Sequence, residues 1–173
     1  MKVYRPKQTN SFVNDERRAQ KIAEDIIKAY REGRKILGLT VRTEHLDLLQ
    51  AALAEEVQAC YVLHGRLSKE QRATVFDSLS ELDGSAPRFL LRTGHFIGEG
   101  FDYPPLDTLF LAMPISWKGT LQQYAGRLHR EHSDKKDVRV YDYVERDQPK
   151  LARMWDKRER GYRAMGYKVR DFR

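Results

Sequence analysis

The sequence predicts an α/β fold with a mainly parallel sheet of about five or six strands, covered by helices on both faces. Two observations carry that. Short apolar runs alternate with longer stretches of helical periodicity along most of the chain, the pattern of βαβ units and hence of parallel strands. The strand runs are also apolar throughout rather than alternating, as strands buried on both faces are. At 173 residues the chain suits one domain with a real core.

The elements follow in order. Residues 1–15 read as a polar lead. In "ERRAQKIAEDIIKAYREG" Ile22, Ile26, Ile27 and Tyr30 recur at helical spacing and Gly33 supplies a stop. "KILGLTV" (35–41) is a buried strand, and "TEHLDLLQAALAEE" a helix with Thr43 as its N-cap and His45 on its surface. "ACYVLHG" (59–65) is a strand and turn, with Cys60 as a small buried hydrophobe. "SKEQRATVFDSLSEL" begins at Ser68, and Gln71 three residues on completes a capping box. "RFLLRT" (88–93) is a strand, "GHFIGEGFDYPP" a loop rich in glycine and proline, and "LDTLFLAMP" (106–114) the next strand. A helix starting near Ser116 covers "SWKGTLQQYAGRLHRE", and "DVRVYDYV" (137–144) is the last strand. Residues 147–173 read as a basic closing helix whose Leu151, Met154, Trp155, Tyr162 and Met165 dock on the sheet.

Hydrophobic residues make up 40% and charged residues 33%, a soluble globular balance. No apolar run approaches the roughly 18 residues of a membrane span, and "MKVYRPKQTN" has no signal-peptide core, so the expected location is cytoplasmic with no membrane partner. One cysteine excludes an internal disulfide and a cysteine-based metal cluster. The net charge is +7, and residues 150–173 hold nine Lys/Arg against three Asp/Glu. That tail fits either a polyanionic partner or the solvated face of a surface helix.

In parallel sheets ligands collect at the carboxyl ends of strands, here "LTVRT", "LHGRLS", "RTGHFIGEG" and "MPISW". The most informative stretch is "TLQQYAGRLHREH" (120–132). At about 100° per residue from Leu121, Tyr124, Ala125 and Leu128 share the core side, while Gln123, Gly126, Arg127 and Arg130 fall at about 140–240° opposite. Gly126 costs about 1 kcal/mol in a helix interior relative to alanine, which close approach of another group to that face would offset. Arginine forks suit phosphate oxygens. Taken alone, Arg127 and Arg130 read equally well as surface partners of Glu131 or Asp134.

"EGFDYP" (99–104), then "PIS", then "QQYAGRLHR" resembles the motif V and motif VI region of superfamily 2 helicases, a Gly-x-Asp loop followed by a Gln-x-x-Gly-Arg-x-x-Arg helix. Gln123, Gly126, Arg127 and Arg130 match the second element position for position, and Gly100 and Asp102 match the first. "ILGLTVRTEHLDLL" looks like motif IV, and "LHGRLSKEQR" like the motif after it, so the resemblance covers residues 16–146. "EGFD" with "GRLHR" is similar to restriction-subunit-like, DEAD/DEAH-related members.

The resemblance implies a three-layer α/β/α RecA-like domain, the C-terminal motor half of a nucleic-acid-dependent ATPase. Arg127 and Arg130 would reach the γ-phosphate of ATP across an interdomain cleft, with Arg130 as arginine finger and Gln123 coupling nucleotide to cleft. Asp102 would meet the ribose or hold the arginines, with Gly100 allowing the turn and Gly126 the approach. Thr40, Arg42, His64, Gly65, Arg66, Thr93 and Gly94 would grip the backbone of a nucleic acid, DNA, without reading its sequence. Thr93 stands seven residues before Gly100 where the commoner pattern has six, so either the loop carries an extra residue or Gly94 takes the usual place.

No Gly-x-x-x-x-Gly-Lys-[Ser/Thr] loop and no Asp-Glu box appears in the sequence. ATP and Mg²⁺ are therefore expected mainly on an N-terminal RecA-like P-loop domain of the same or a neighbouring chain, and this chain alone should not hydrolyse ATP. The alternative is a non-catalytic module that keeps the fold and binds nucleic acid or protein. An unrelated nucleotide-binding domain would need a glycine-rich loop that "LGLTVRTEHL" does not supply. No metal ligands are expected: His129 and His132 read as a solvated surface pair. His95 fits either a nucleic-acid contact or loop packing, and Trp117 either a packing anchor or a base-stacking ring. Arg153, Lys157, Arg160 and Arg163 would extend a nucleic-acid track.

Overall fold

The computed structural model describes residues 2–6, 16–40, 43–93, 103–113, 120–133, 135–144 and 148–172. Among them seven strands form one sheet: β1 (Lys2–Pro6), β2 (Lys35–Thr40), β3 (Cys60–Leu63), β4 (Arg88–Thr93), β5 (Thr108–Leu111), β6 (Arg139–Asp142) and β7 (Lys168–Phe172). Their order is β3-β4-β2-β5-β6-β1-β7, and every pairing in it is parallel. Among the described residues five helices accompany them: α1 (Glu16–Arg31), α2 (Thr43–Leu53), α3 (Lys69–Glu81), α4 (Thr120–Arg127) and α5 (Pro149–Ala164).

The period of two along each strand sorts the core into two layers. On β2, Ile36 faces α1 and α2, joining Ile22, Ile26, Leu49, Leu53 and Phe110. Leu37 and Leu39 face the other way, toward α3, α4 and α5, joining Leu79, Tyr124, Leu128, Trp155 and Tyr162. The result is the expected three-layer α/β/α domain. Between them Gly38 lets β2 lie close under an aromatic ring, since a Cβ there would stand 2.8 Å from Phe89 Cε2 and Cζ.

Local signals act where the sequence placed them. Gly33, at φ +81°, ends α1 in the left-handed conformation, with its N–H donating to the Tyr30 carbonyl at 2.9 Å. The Ser68 hydroxyl accepts from the Gln71 N–H at 3.2 Å, while the Gln71 side chain accepts from the Ser68 N–H at 2.8 Å. Such a cap is worth about 1 kcal/mol. Thr43 opens α2, but its side chain lies outside the described residues.

Two strands were not read from the sequence. β1 falls in the polar lead and inserts between β6 and β7, with Lys2 in register with Arg139 and with Lys168. The basic closing segment is not helical to its end: Gly166, at φ +84°, stops α5, and the chain turns back as β7 along β1. Of the expected docking face of α5, Leu151, Trp155 and Tyr162 are buried and Met165 packs against the same core, while Met154 is half-buried and outside it.

His45 corrects another expectation. It is buried rather than on the helix surface, 1% exposed, because it lies one and two turns before Leu49 and Leu53 on the core stripe of α2.

Candidate functional site

The predicted site residues fall into two groups. The first stands at the carboxyl edge of the sheet, where Thr40 of β2 is level with Thr93 of β4 and Leu63 of β3 with Arg92. His64, one residue further, therefore comes level with both threonines. Its Nδ1 accepts the Arg66 N–H at 3.2 Å, which folds the turn and leaves Gly65 and Arg66 exposed. Thr93 and His64 are half-buried. Thr40 differs: it is fully buried, and its hydroxyl sits 3.1 Å from His45 Nδ1. Burial and the neighbouring Arg18 cation hold the His45 pKa down at about 4. Arg18 itself reaches from α1 to donate to the Ala112 carbonyl at 3.1 Å, beyond the end of β5. Arg42 and Gly94 lie outside the described residues, as do His95 and Trp117.

The second group is on α4 and the turn after it. α4 runs back from the carboxyl edge, and Arg92 donates to the Tyr124 hydroxyl at 3.2 Å midway along it. Its end meets Leu106, just before the strand that Asp107 leads into, so Arg127 lies toward the amino edge, away from the first group. Gln123 is exposed, while Gly126 and Arg127 are half-buried. The Arg127 guanidinium lies 5.5 Å from the centroid of the Tyr124 ring. With Leu37, Tyr103, Leu106, Tyr124 and Leu128 it lines a small hollow. Gly100 and Asp102 lie outside the described residues, but Tyr103, the residue after Asp102, is part of that hollow.

α4 ends at Arg127, four residues before the expected end at Glu131, and this changes the geometry of Arg130. The Leu128 N–H still reaches the Tyr124 carbonyl at 3.1 Å, but His129 and Arg130 donate three residues back, to Gly126 at 3.0 Å and Arg127 at 3.1 Å. Such a turn advances about 120° per residue instead of about 100°. Arg130 is therefore exposed on a turn, not on the helical face shared with Gln123 and Gly126. Gly126 is not demanded by its described neighbours either: a Cβ there would meet Met165 Cε at 3.8 Å, an ordinary contact.

The turn is fixed at both ends by residues the sequence reading missed. Lys135 Nζ donates to the carbonyls of Leu128 at 3.0 Å and Arg130 at 2.6 Å, occupying acceptors that a helix end leaves open. Burial lowers the Lys135 pKa, against the pull of the Asp107 charge. Further on, Asp137 pairs with Arg34, whose Nε also donates to Thr108 Oγ1 at 2.8 Å and stands 3.1 Å from Asp107 Oδ1. Burial raises the Asp107 pKa despite Arg34. These ion pairs clamp β2, β5 and the entry to β6 beneath the turn. Arg130, His132, Lys135 and Asp137 line an open groove of about 740 Å³ there.

His129 is not solvated as expected. It stands edge-on to Tyr167, centroids 5.0 Å apart, and its buried Nε2 has no hydrogen-bond partner among the described residues. Burial lowers its pKa. Among the described residues, no group of three His, Cys, Asp or Glu could hold a metal ion.

The model of the helicase conserved C-terminal domain matches residues 18–132, a span that contains every predicted site residue from Thr40 to Arg130. The chain belongs to that family: it is a superfamily 2 helicase C-terminal domain with a RecA-like fold. It is 24% identical over 140 residues to the transcript termination protein A18 of Fowlpox virus (strain NVSL), covering 78% of this chain but 29% of that protein. Among solved structures it resembles T4 UvsW, with a TM-score of 0.69, 16% identity, and coverage of 99% of this chain and 41% of the other. It also resembles the C-terminal domain of the DEAD-box protein Dbp5, with a TM-score of 0.68, 14% identity, and coverage of 98% and 89%. The chain thus spans under a third of the viral protein, and the two structural likenesses speak to fold.

Proposed function

We propose that this chain is the C-terminal motor half of an ATP-dependent, nucleic-acid-stimulated helicase or translocase, and that Arg127 and Arg130 complete an ATP site whose P-loop and magnesium ligands belong to an N-terminal RecA-like domain. The observation that carries the reading is the Gln123, Gly126, Arg127, Arg130 pattern on a helix end and turn held by Lys135. An arginine there costs little to reorganise, because its backbone is already fixed when nucleotide arrives. Preorganised charge of that kind stabilises the phosphoryl group in the transition state, where an arginine finger is worth about 10³ to 10⁵ in rate.

Arg130, exposed on the turn, is the finger in this reading. Arg127, backed by the Tyr124 ring and the hollow beside Tyr103, supports it together with Asp102. The nucleic-acid backbone lies at the other edge, against Thr93, His64, Gly65 and Arg66. Thr40, being fully buried, acts there through His45 packing rather than by contact. Separation of the two groups across the sheet suits a motor, since closure of a cleft at one edge can move a strand held at the other. Similarity to a protein named for transcript termination supports a nucleic-acid track, and DNA is the track we propose.

The test is nucleic-acid-stimulated ATP hydrolysis by this chain together with its P-loop domain, wild type beside Arg130→Ala, with DNA and RNA as separate stimulants. A loss of about a hundredfold or more with ATP binding retained is expected. An unchanged rate would make the arginines surface residues and the chain a binding module, and stimulation by RNA alone would overturn the choice of DNA.

A further inference from the structure

The outer face of α5 differs from every other described helix face. α1 exposes charges of both signs, Glu16, Arg17, Glu24, Lys28 and Arg31, and α3 exposes Lys69 against Glu70, Asp77 and Glu81. On α5, Lys150, Arg153, Lys157 and Arg160 are all exposed. With Arg153 at 0°, they fall at about 60°, 0°, 40° and 340°, one narrow stripe, with Asp156 flanking it at about 300°.

The helix's other two basic side chains are already engaged. Arg158 is buried against Asp142, at 2.7 and 2.9 Å, and Arg163 pairs with Glu159 at 2.7 Å. None of the four stripe residues has a carboxylate partner among the described residues. Arg160 Nε makes one weak contact, donating to the Asp156 carbonyl at 3.3 Å. Four cations held within a 15 Å rise at about 1.5 Å per residue repel one another, and Asp156 at their flank offsets only part of that repulsion. A solvated face has no need of that arrangement, whereas a polyanion does.

We infer that this stripe binds the phosphodiester backbone of a nucleic-acid strand, as a second contact outside the carboxyl-edge track. One strand of a duplex presents a phosphate about every 3.4 Å of axis, so the stripe's length matches about four phosphates. The spacing between the four cations, about 4.5, 6 and 4.5 Å along the helix, is of the same order as that between phosphates. In the chain α5 follows β6, which lies three places from β4 in the sheet, so the stripe is carried by a different element from the carboxyl-edge residues of β3 and β4. The stripe carries no base-reading geometry, and its contribution is affinity without sequence preference. The inference takes its class of partner from the proposed function but uses none of the residues of that track.

The experiment is fluorescence anisotropy of labelled duplex and single-stranded 20-mers with the purified chain over a salt series. It compares wild type, a stripe variant (Lys150→Gln, Arg153→Gln, Lys157→Gln, Arg160→Gln) and an edge variant (His64→Ala, Arg66→Gln), each checked for an unchanged thermal midpoint. The stripe variant is expected to bind more weakly and to lower the slope of log K against log salt by up to about 3.6 on duplex or about 2.8 on single strands. An unchanged slope and affinity in the stripe variant overturns the inference, even if the edge variant loses binding and so supports the track. Loss in the stripe variant alone upholds it and counts against the track. Displacement by polyglutamate as effective as by unlabelled DNA of equal charge overturns it in favour of an acidic protein surface, and so does wild-type chain that binds neither 20-mer.

Discussion

The buried His45 should make this domain acid-sensitive in a way that can be calculated. Folded, the ring resists protonation down to about pH 4, because it is buried and Arg18 is near; unfolded, it titrates at 6.5. The unfolded chain therefore binds the proton first. Stability from this group is fully present above pH 6.5 and is lost as pH falls from 6.5 toward 4. At about 1.36 kcal/mol per pKa unit the complete loss is about 3 kcal/mol, and by pH 5 it has reached about 2 kcal/mol. That is a large fraction of the 5–15 kcal/mol by which domains are stable. Urea melts of wild type and His45→Gln at pH 7.5 and pH 5 read the effect. Glutamine can keep a hydrogen bond to Thr40 but cannot titrate, so the carboxylates cancel in the difference. The wild type should lose about 2 kcal/mol relative to the variant between the two pH values. A gap that does not change with pH would refute the reasoning, as would a wild-type His45 ring whose NMR titration centres at or above 6.5. The ring measurement stands even if the variant does not fold.

Two further outcomes follow from the core. Arg158→Met should cost about 3–5 kcal/mol in a urea melt, because it leaves the buried Asp142 carboxylate between β6 and α5 without its guanidinium, the Tyr162 hydroxyl staying 3.1 Å away. Replacing both partners by apolar residues should recover much of that loss. Gly38→Ala should cost about 1–3 kcal/mol, since the new methyl would overlap the Phe89 ring, and Phe89→Leu in the same chain should relieve part of it.

The central strands and helix caps were legible because each carries its own local signal: an apolar run, a capping pair at Ser68 and Gln71, a glycine at Gly33. β1 and β7 carry none. "KVYRP" and "KVRDF" mix charge with single apolar residues, as strands at or next to a sheet edge do, and their identity comes from partners far away in sequence. Buried polar groups were missed for a different reason. Arg18 precedes Ile22 and Ile26 at four-residue intervals, and His45 precedes Leu49 and Leu53 likewise, so the spacing marked them as inward-facing while their residue types argued for the surface. Asp107 and Asp142 sit beside or within apolar strand runs, a comparable clue. For the site, the helical wheel grouped Gln123, Gly126, Arg127 and Arg130 by assuming an unbroken helix. No residue in "GRLHR" announces the early tightening, and the lysine that secures the turn, Lys135, lies outside the recognisable pattern.

The position of β1 has a consequence for how the chain acquires its shape. β1 pairs with residues 139–141 on one side and 168–172 on the other, so most of the intervening chain must exist before that strand finds either neighbour. Closing so long a loop is entropically slow, and parallel sheets with distant pairings fold late. Docking of β1 is thus expected to be the concluding event of folding. Until it happens, β6 presents a bare edge on which a foreign strand could settle.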